Sequence, residues 1–516
     1  MPVAPMPKQL THLKVALDES IEEKLQILSP GYGSYRILRK SVDARSRAPH
    51  WVFAVEVFEP GESPAVHEYP VDPIRVSSRL APVLIVGAGP AGLFAALRLC
   101  ERGIPCKLIE QGSKANERMK SIAAYWRYGK LEPKNNVCFG EGGAGLYSDG
   151  KLITRIKSPY IPYVLNRLVR FGAPEEIQYL ANPHVGSDKI RKVIPPMREH
   201  LRALGCEVLF DTKVEGLIYA EGKVCGVKFA DGTQTLGSAV ILATGHSATD
   251  MLYHLNENGV AMEGKSFALG LRIEHPQKEI DRIQYRDFAG HPKLGAANYR
   301  LADHQAETGI GVYSFCMCPG GYVIASGTEA DSVVSNGMSN YARNSPYANA
   351  AVVVSVDHAT FFGNDLFGGL NFRRELELAA RGLVTGAGGT RQFPAQRTLD
   401  FMDQKLGKAL PSSSPSGVVP ARLDTLLPRA IYHRLTQSLE TFQNKMAGFL
   451  SPSAQFHGIE SRTSCPVRVI RDEDSLQSIS HTGLYPTGEG AGYAGGITSA
   501  AVDGIRVAEA IVTTLV

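Results

Sequence analysis

No stretch of this chain stays apolar long enough to span a bilayer, so a membrane-embedded protein is not expected. The first seven residues, Met-Pro-Val-Ala-Pro-Met-Pro, lack a charged segment leading into an apolar core, so no signal peptide is expected. Charge of one sign is also lacking. The formal net charge is only +4 over 516 residues, which makes no case for nucleic acid as the main partner. The eight cysteines show no disulfide-framework spacing, as in a reducing compartment, and the expected location is cytoplasmic. No G-x-S-x-G, H-E-x-x-H or phosphate-loop lysine motif occurs, which leaves hydrolase and kinase readings without support. Repeats of solenoid length are missing too.

What is present is a glycine fingerprint in residues 83–112. Val83 to Val86 form a short apolar run, as in a strand buried on both faces. Gly87, Gly89 and Gly92 follow in G-x-G-x-x-G spacing, with Pro90 and Ala91 between them. The first glycine permits the tight turn, the second lets a pyrophosphate approach the backbone, and the third lets helix and strand pack closely. Leu93, Ala96, Leu97 and Cys100 give one apolar helix face, and Gly103 is placed to end that helix. Residues 106–109 read as a second strand. Glu110 stands at its end, followed by Gln111. An acid about 20 residues past the glycines is positioned to accept hydrogen bonds from a ribose, and it would repel a 2′-phosphate. Strand, turn, helix, strand and acid together predict dinucleotide binding.

The chain is too long for one simple core. Residues 1–58 read as a small α+β domain, with a helix over 18–28 and strands near 35–38 and 51–57. Five prolines punctuate a linker over 59–82. Residues 83–259 form the first part of the nucleotide-binding domain. They include a glycine-rich loop at 139–151, which holds Gly142, Gly143, Ala144 and Ser148 and implies backbone passing close to something flat or charged. Helices are expected near 161–171 and 187–204, a strand over 208–214 ending in Val214, and a hairpin about Asp231-Gly232. A further strand ends in Ala243-Thr244-Gly245. Residues 260–464 read as an inserted α+β substrate domain, with a low-complexity surface loop at 412–417. Residues 465–516 return to the nucleotide domain. Gly488, Glu489, Gly495, Gly496 and Ile497 there precede a terminal helix that faces the core through Ala501, Ile505 and Ala508. The expected fold class is α/β, a Rossmann-like domain carrying an inserted domain and a small N-terminal one.

The fingerprint with Glu110, the strand ending at Gly245 and the Thr487-Gly-Glu-Gly490 turn together resemble flavoproteins with a glutathione-reductase-like FAD domain. Most of those have Asp where this chain has Glu489. Residues 139–151, 243–248, 267–275, 314–321, 336–339 and 488–496 also resemble the NAD(FAD)-utilising, or FAD-dependent, dehydrogenases, and the likeness spans nearly the whole chain. The resemblance implies bound FAD, with NAD(P)H as a transient electron donor, a small-molecule substrate and hydride exchange with the flavin N5. Cofactor contacts are then expected in the fingerprint, the glycine-rich loop, Val214, the 243–245 turn and residues 488–497.

Five residues are candidates for chemistry. Cys316 and Cys318 flank Met317 before Pro-Gly-Gly, and as i and i+2 on a strand both sulfurs would face one pocket. A metal is not expected there, because two cysteines are half a zinc site. His246 directly follows the 243–245 turn, and His275 ends a predicted strand. Arg272, with Arg373, Arg391 and Arg397, is a candidate carboxylate clamp. Two further readings are a flavoprotein whose FAD is structural or sensory, with a partner-binding N-terminal domain or a homodimer contact, and a flavin-dependent RNA-modifying enzyme.

Overall fold

The computed structural model describes residues 7–515 except 47, 65–68, 78, 307 and 308. The expectation about a signal peptide rests on residues that lie mostly outside these. Among the described residues, no helix is long and apolar enough to cross a membrane.

A five-stranded parallel sheet carries the fingerprint. Its order is Leu484–Pro486, Val240–Leu242, Val83–Val86, Cys106–Ile109, Glu207–Leu209. Helices cover one face, and the antiparallel strands Val214–Ala220 and Lys223–Phe229 with the helix Thr249–Glu257 cover the other, so the strands are apolar without alternation. The helix Pro90–Glu101 leaves the first strand through Gly87, whose φ is +102°. A Cβ at Gly92 would fall 1.9 Å from the Gly87 carbonyl oxygen, so only glycine permits this crossing. The terminal helix Ile497–Leu515 packs on the same helix, and a Cβ at Gly504 would fall 2.1 Å from the Ala91 carbonyl oxygen. Glu509 accepts hydrogen bonds from Arg98 and Arg102, locking the two helices together. Chain segments hundreds of residues apart thus meet at one edge of this body. In the core beneath, the thiols of Cys100, Cys106 and Cys206 touch, at 3.4 and 3.5 Å.

A seven-stranded sheet forms the second body. Its order is Ala302–His304, Gly311–Cys318, Tyr347–Val356, Phe267–Pro276, Gln455–Glu460, Phe393–Arg397, Val418–Pro420. All neighbours are antiparallel except the last pair. The N-terminal segment adds a three-stranded sheet, Lys8–Ala16, His50–Phe58, Ser34–Asp43, under the helix Ile21–Leu28. Ser20 and Glu23 close that helix start with a reciprocal capping box.

Three expectations need correction. The strand predicted over 208–214 is two strands, Glu207–Leu209 and Val214–Ala220, separated where Asp211 takes φ +53°. The strand Lys8–Ala16 was not anticipated, because its side chains are mostly exposed and leave no alternation. The serine-rich 412–417 segment is not a solvated surface loop. Ser414 and Ser416 are buried, the Ser413 hydroxyl donates to Glu274, and its oxygen accepts from the Val323 amide at 2.9 Å. Serines satisfy buried backbone groups here, which composition alone does not reveal.

Candidate cofactor and active site

A cavity of about 370 Å3 runs between the parallel sheet and the seven-stranded sheet. One part of its wall is the fingerprint: Gly87, Gly89, Pro90, Ala91, Glu110 and Gln111. Gly143, Ala144 and Ser148 come from the glycine-rich loop, Val214 from the strand after Asp211, and Ala243, Thr244 and Gly245 from the fourth predicted element. Glu489, Gly495, Gly496 and Ile497 complete the set from the C-terminal turn and helix. Three predicted contacts lie behind this wall. Gly92 supports the helix crossing, the Gly142 amide donates to the Ala88 carbonyl at 2.8 Å, and the Gly488 amide donates to Asp503 at 2.8 Å.

The residues fit a dinucleotide. A Cβ at Gly89 would have no neighbour closer than 4.0 Å, and one at Gly245 or Gly495 would meet nothing within 4 Å. Bare backbone therefore faces open space at three glycines from three distant segments. The N-terminus of Pro90–Glu101 points its partial positive charge and free amides into the same space.

Glu110 does more than expected. Its carboxylate accepts the amides of Ala88, Gly112 and Gly140, each at 2.9 Å. These bonds tie the fingerprint turn to the glycine-rich loop. Glu110 is thus the clamp of the cradle, and it also lines the cavity. Arg118 braces the same loop from behind, donating to the carbonyls of Asn136, Val137, Glu141 and Gly143.

The other part of the wall carries side chains with chemistry. Cys316 lines it with Phe315, Lys151, Asn336, Glu460 and Arg462. The strand Gly311–Cys318 slips register between Phe315 and Cys318, and Cys316 takes φ +46° at the slip. That bulge turns Cys316 toward the cavity and leaves Cys318 fully buried behind it. The two sulfurs therefore do not both line the cavity, because the strand is not regular where they sit. The Cys318 thiol lies 3.3 Å from the Cys316 carbonyl oxygen and within reach of the Cys316 sulfur. That thiol hydrogen bond holds the Cys316 pKa below its ordinary value against burial, with Lys151 and Arg272 contributing positive charge. Cys318 is pushed up in turn. The Lys151 ammonium donates to the Met317 carbonyl between them.

Arg272 is a brace rather than a substrate clamp. It is fully buried and donates two hydrogen bonds to Glu460, at 2.9 and 2.7 Å, and one to Asn349 at 2.8 Å. Glu460, also held by Ser335, is the group it presents at the cavity wall. His275 is not brought to the cavity. Its Nε2 meets the Phe449 carbonyl at 2.8 Å, and its ring packs against Tyr299 and Phe449. His246 does line the cavity, with Nδ1 2.8 Å from the Ser247 hydroxyl. Burial, with Arg373 and Arg462 nearby, pushes its pKa down to about 3, so its ring is neutral. Burial pushes Glu489 up to about 7, with Lys265 opposing. Lys151, Asn336 and Glu460 are site residues that sequence reasoning did not single out. Lys151 closes the glycine-rich loop and Asn336 opens the 336–339 motif, so both lay inside motifs already noted. Glu460 had no signal of its own.

Comparison with known proteins supports this cofactor. Residues 80–124 match the family model described as an FAD binding domain, and residues 266–463 match one described as FAD-dependent protein, C-terminal domain-like. An uncharacterized protein from Clostridium beijerinckii is 41% identical over 514 residues, covering 96% of this chain and 95% of that one. The chain belongs to the same family as that protein. Its cofactor is FAD, and it is a flavoprotein of the FAD-dependent oxidoreductase type. Solved structures similar to the flavoprotein include a glycine oxidase from Bacillus cereus, at 11% identity and TM-score 0.30, covering 84% of this chain and 95% of that one. The flavin-dependent brominase Bmp2 is similar at 12% identity and TM-score 0.38, covering 84% and 79%. At these scores neither likeness extends to function.

Proposed function

We propose that the flavoprotein oxidises or reduces a small organic substrate by hydride transfer, as an FAD-dependent dehydrogenase or reductase, with NAD(P)H as the candidate electron partner. When bound, FAD supplies two-electron redox chemistry that no side chain can provide. The observation that carries the reading is the single bulge that turns Cys316 into the wall of the FAD cavity beside Lys151.

The chain's own part is positioning and proton handling. Glu110 and the bare glycines fix the dinucleotide. Asn336 offers amide groups to a polar substrate atom, and the Arg272–Glu460 pair keeps that wall rigid. Oxidation of an alcohol or amine centre by two electrons also releases a proton. The Cys316 sulfur is the acceptor for it, since its lowered pKa favours the thiolate and the Cys318 thiol and Lys151 hold that charge in place. In the reverse direction the same sulfur returns the proton. His246, neutral across the physiological range, acts as a hydrogen-bonding group and not as a cation.

The test is anaerobic mixing of the FAD-loaded protein with NADH or NADPH, followed by flavin absorbance. Bleaching identifies a nicotinamide-linked reductase, and absence of bleaching directs the search to organic substrates. Cys316→Ser should slow turnover while leaving FAD content and melting temperature near wild type. Unchanged turnover in that variant would remove the thiol from the reaction.

A further inference from the structure

The side-chain wall of the cavity is graded from polar to apolar. Lys151 and Cys316 are half-buried in it. Ile153 and Phe315, their close neighbours along the same two segments, also line the cavity, but they are 56% and 38% exposed. These two therefore stand at its mouth. Large apolar side chains left in water beside a cavity mark a contact surface. The same two segments thus place an ammonium and a thiol inside and two apolar side chains outside.

The polar groups at the inner end are donors with capacity to spare. Of the three lysines and arginines that line the cavity, Lys213 pairs with Asp250 at 2.5 Å, and Arg462 pairs with Glu329 and Glu377 at 2.6 and 2.8 Å. Lys151 makes no ion pair among the described residues. Its ammonium has three donors and uses one, toward the Met317 carbonyl. Asn336 is oriented to the same effect. Its Oδ1 accepts the Gly337 amide at 2.7 Å, and its Nδ2 makes no hydrogen bond among the described residues. The acids in the wall nearby are committed. Asp149 accepts from Arg343 and Ser339, and Glu460 accepts from Arg272 and Ser335. A ligand head that meets this end has to bring acceptors, and an ionised head gains most.

We propose that the substrate class of this site is a small carboxylate with an apolar tail, a proposal that rests on the FAD-dependent oxidoreductase reading. The carboxylate accepts from Lys151 Nζ and Asn336 Nδ2, and the tail lies over Phe315 and Ile153 at the mouth. Lys151 and Asn336 thereby select the head, and Phe315 and Ile153 select the tail. An amine head would bring a second cation to Lys151 and find no free acceptor. Cys316 adjoins both ends, next to Phe315 in sequence and to the Met317 carbonyl that holds Lys151. A centre close to the carboxylate is the one its sulfur serves.

The experiment is a binding titration of the FAD-loaded full-length protein, by calorimetry and flavin absorbance, with butyrate, hexanoate, octanoate, hexanamide and hexylamine. No electron transfer is involved, so the outcome is independent of the anaerobic bleaching that tests the redox reading. The acids should bind about twofold more tightly for each added methylene, as for half-burial of each. Hexanamide should bind about tenfold more weakly than hexanoate, and hexylamine not at all. Lys151→Met should erase the preference for acid over amide. Phe315→Ala should flatten the dependence on chain length and leave FAD content and melting temperature unchanged. No binding of any acid, equal binding of acid and amide, or affinity independent of chain length overturns the proposal. So does a Phe315→Ala protein that loses FAD and keeps the chain-length dependence, because Phe315 would then serve the cofactor. Acids that bind as expected to a flavin that no reductant cycles would remove the redox reading and leave the ligand class standing.

Discussion

The two walls of the cavity proposed to hold FAD are built on opposite principles. The wall from the parallel sheet is backbone: glycines, helix amides and one carboxylate that organises them. The wall from the seven-stranded sheet is side chain: Cys316, Lys151, Asn336 and the buried Arg272–Glu460 pair. Backbone recognition needs absent side chains at fixed spacing, so it tolerates little change but says nothing about the substrate. Side-chain recognition needs residues brought together from Lys151 to Glu460, so it leaves a faint sequence signal. On the proposed function, the difference separates holding the cofactor from choosing the reaction.

The sharpest break of this comparison lies within the backbone wall. Gly92→Val drives a Cβ into the Gly87 carbonyl and should prevent folding, seen as loss of soluble protein or of the far-ultraviolet dichroism of a native fold. A Cβ at Gly89 comes no closer than 4.0 Å to another residue, so Gly89→Val should fold normally while losing FAD, seen as a colourless protein with a wild-type dichroism spectrum. On the side-chain wall, Arg272→Leu leaves Glu460 buried and uncompensated. It should destabilise by about 3–5 kcal/mol in denaturant titration, the usual result of removing one partner of a buried ion pair.

Next in size is Glu110→Ala. It frees three backbone amides at once and should destabilise by about 3 kcal/mol while weakening FAD retention. A role confined to the ribose would instead lower FAD affinity and leave the FAD-free protein as stable as wild type. The clamp accounts for both losses, so chemical denaturation of the FAD-free variant separates the two roles.

The smallest effect concerns Glu489. Burial raises its pKa from the ordinary 4.5 to about 7. A carboxyl raised on folding contributes most where both folded and unfolded states are protonated. Stability from this group is thus full below pH 4.5, falls as pH rises from there to about 7, and is constant above. The melting temperature of FAD-stripped wild type, relative to Glu489→Gln, should decline across that window. A difference that does not change with pH would show that Glu489 ionises normally.

How much was legible in the sequence follows the same division. Gly87, Gly89, Gly245 and the 495–497 turn were readable because glycine spacing encodes backbone shape directly. The hairpin at Asp231-Gly232 was readable for the same reason, with Gly232 at φ +85°. Glu110 was found, but its task as a clamp was not, since the Gly140 amide that it accepts lies 30 residues on. The pairing of Cys316 with Cys318 failed on a bulge, because a register slip leaves no trace in residue types. His275 and Arg272 drew attention as polar residues in an apolar strand. A buried strand also hosts polar groups whose partners come from far along the chain, here Phe449 and Glu460.

The most direct test of the account is flavin content set against fold. Wild-type protein, purified without added cofactor and then denatured, should release FAD and not FMN, in stoichiometric amount. Gly89→Val should melt cooperatively near the wild-type temperature and release none. A wild-type protein that neither carries nor takes up FAD, or a Gly89→Val protein that retains it, would contradict the assignment of this cavity.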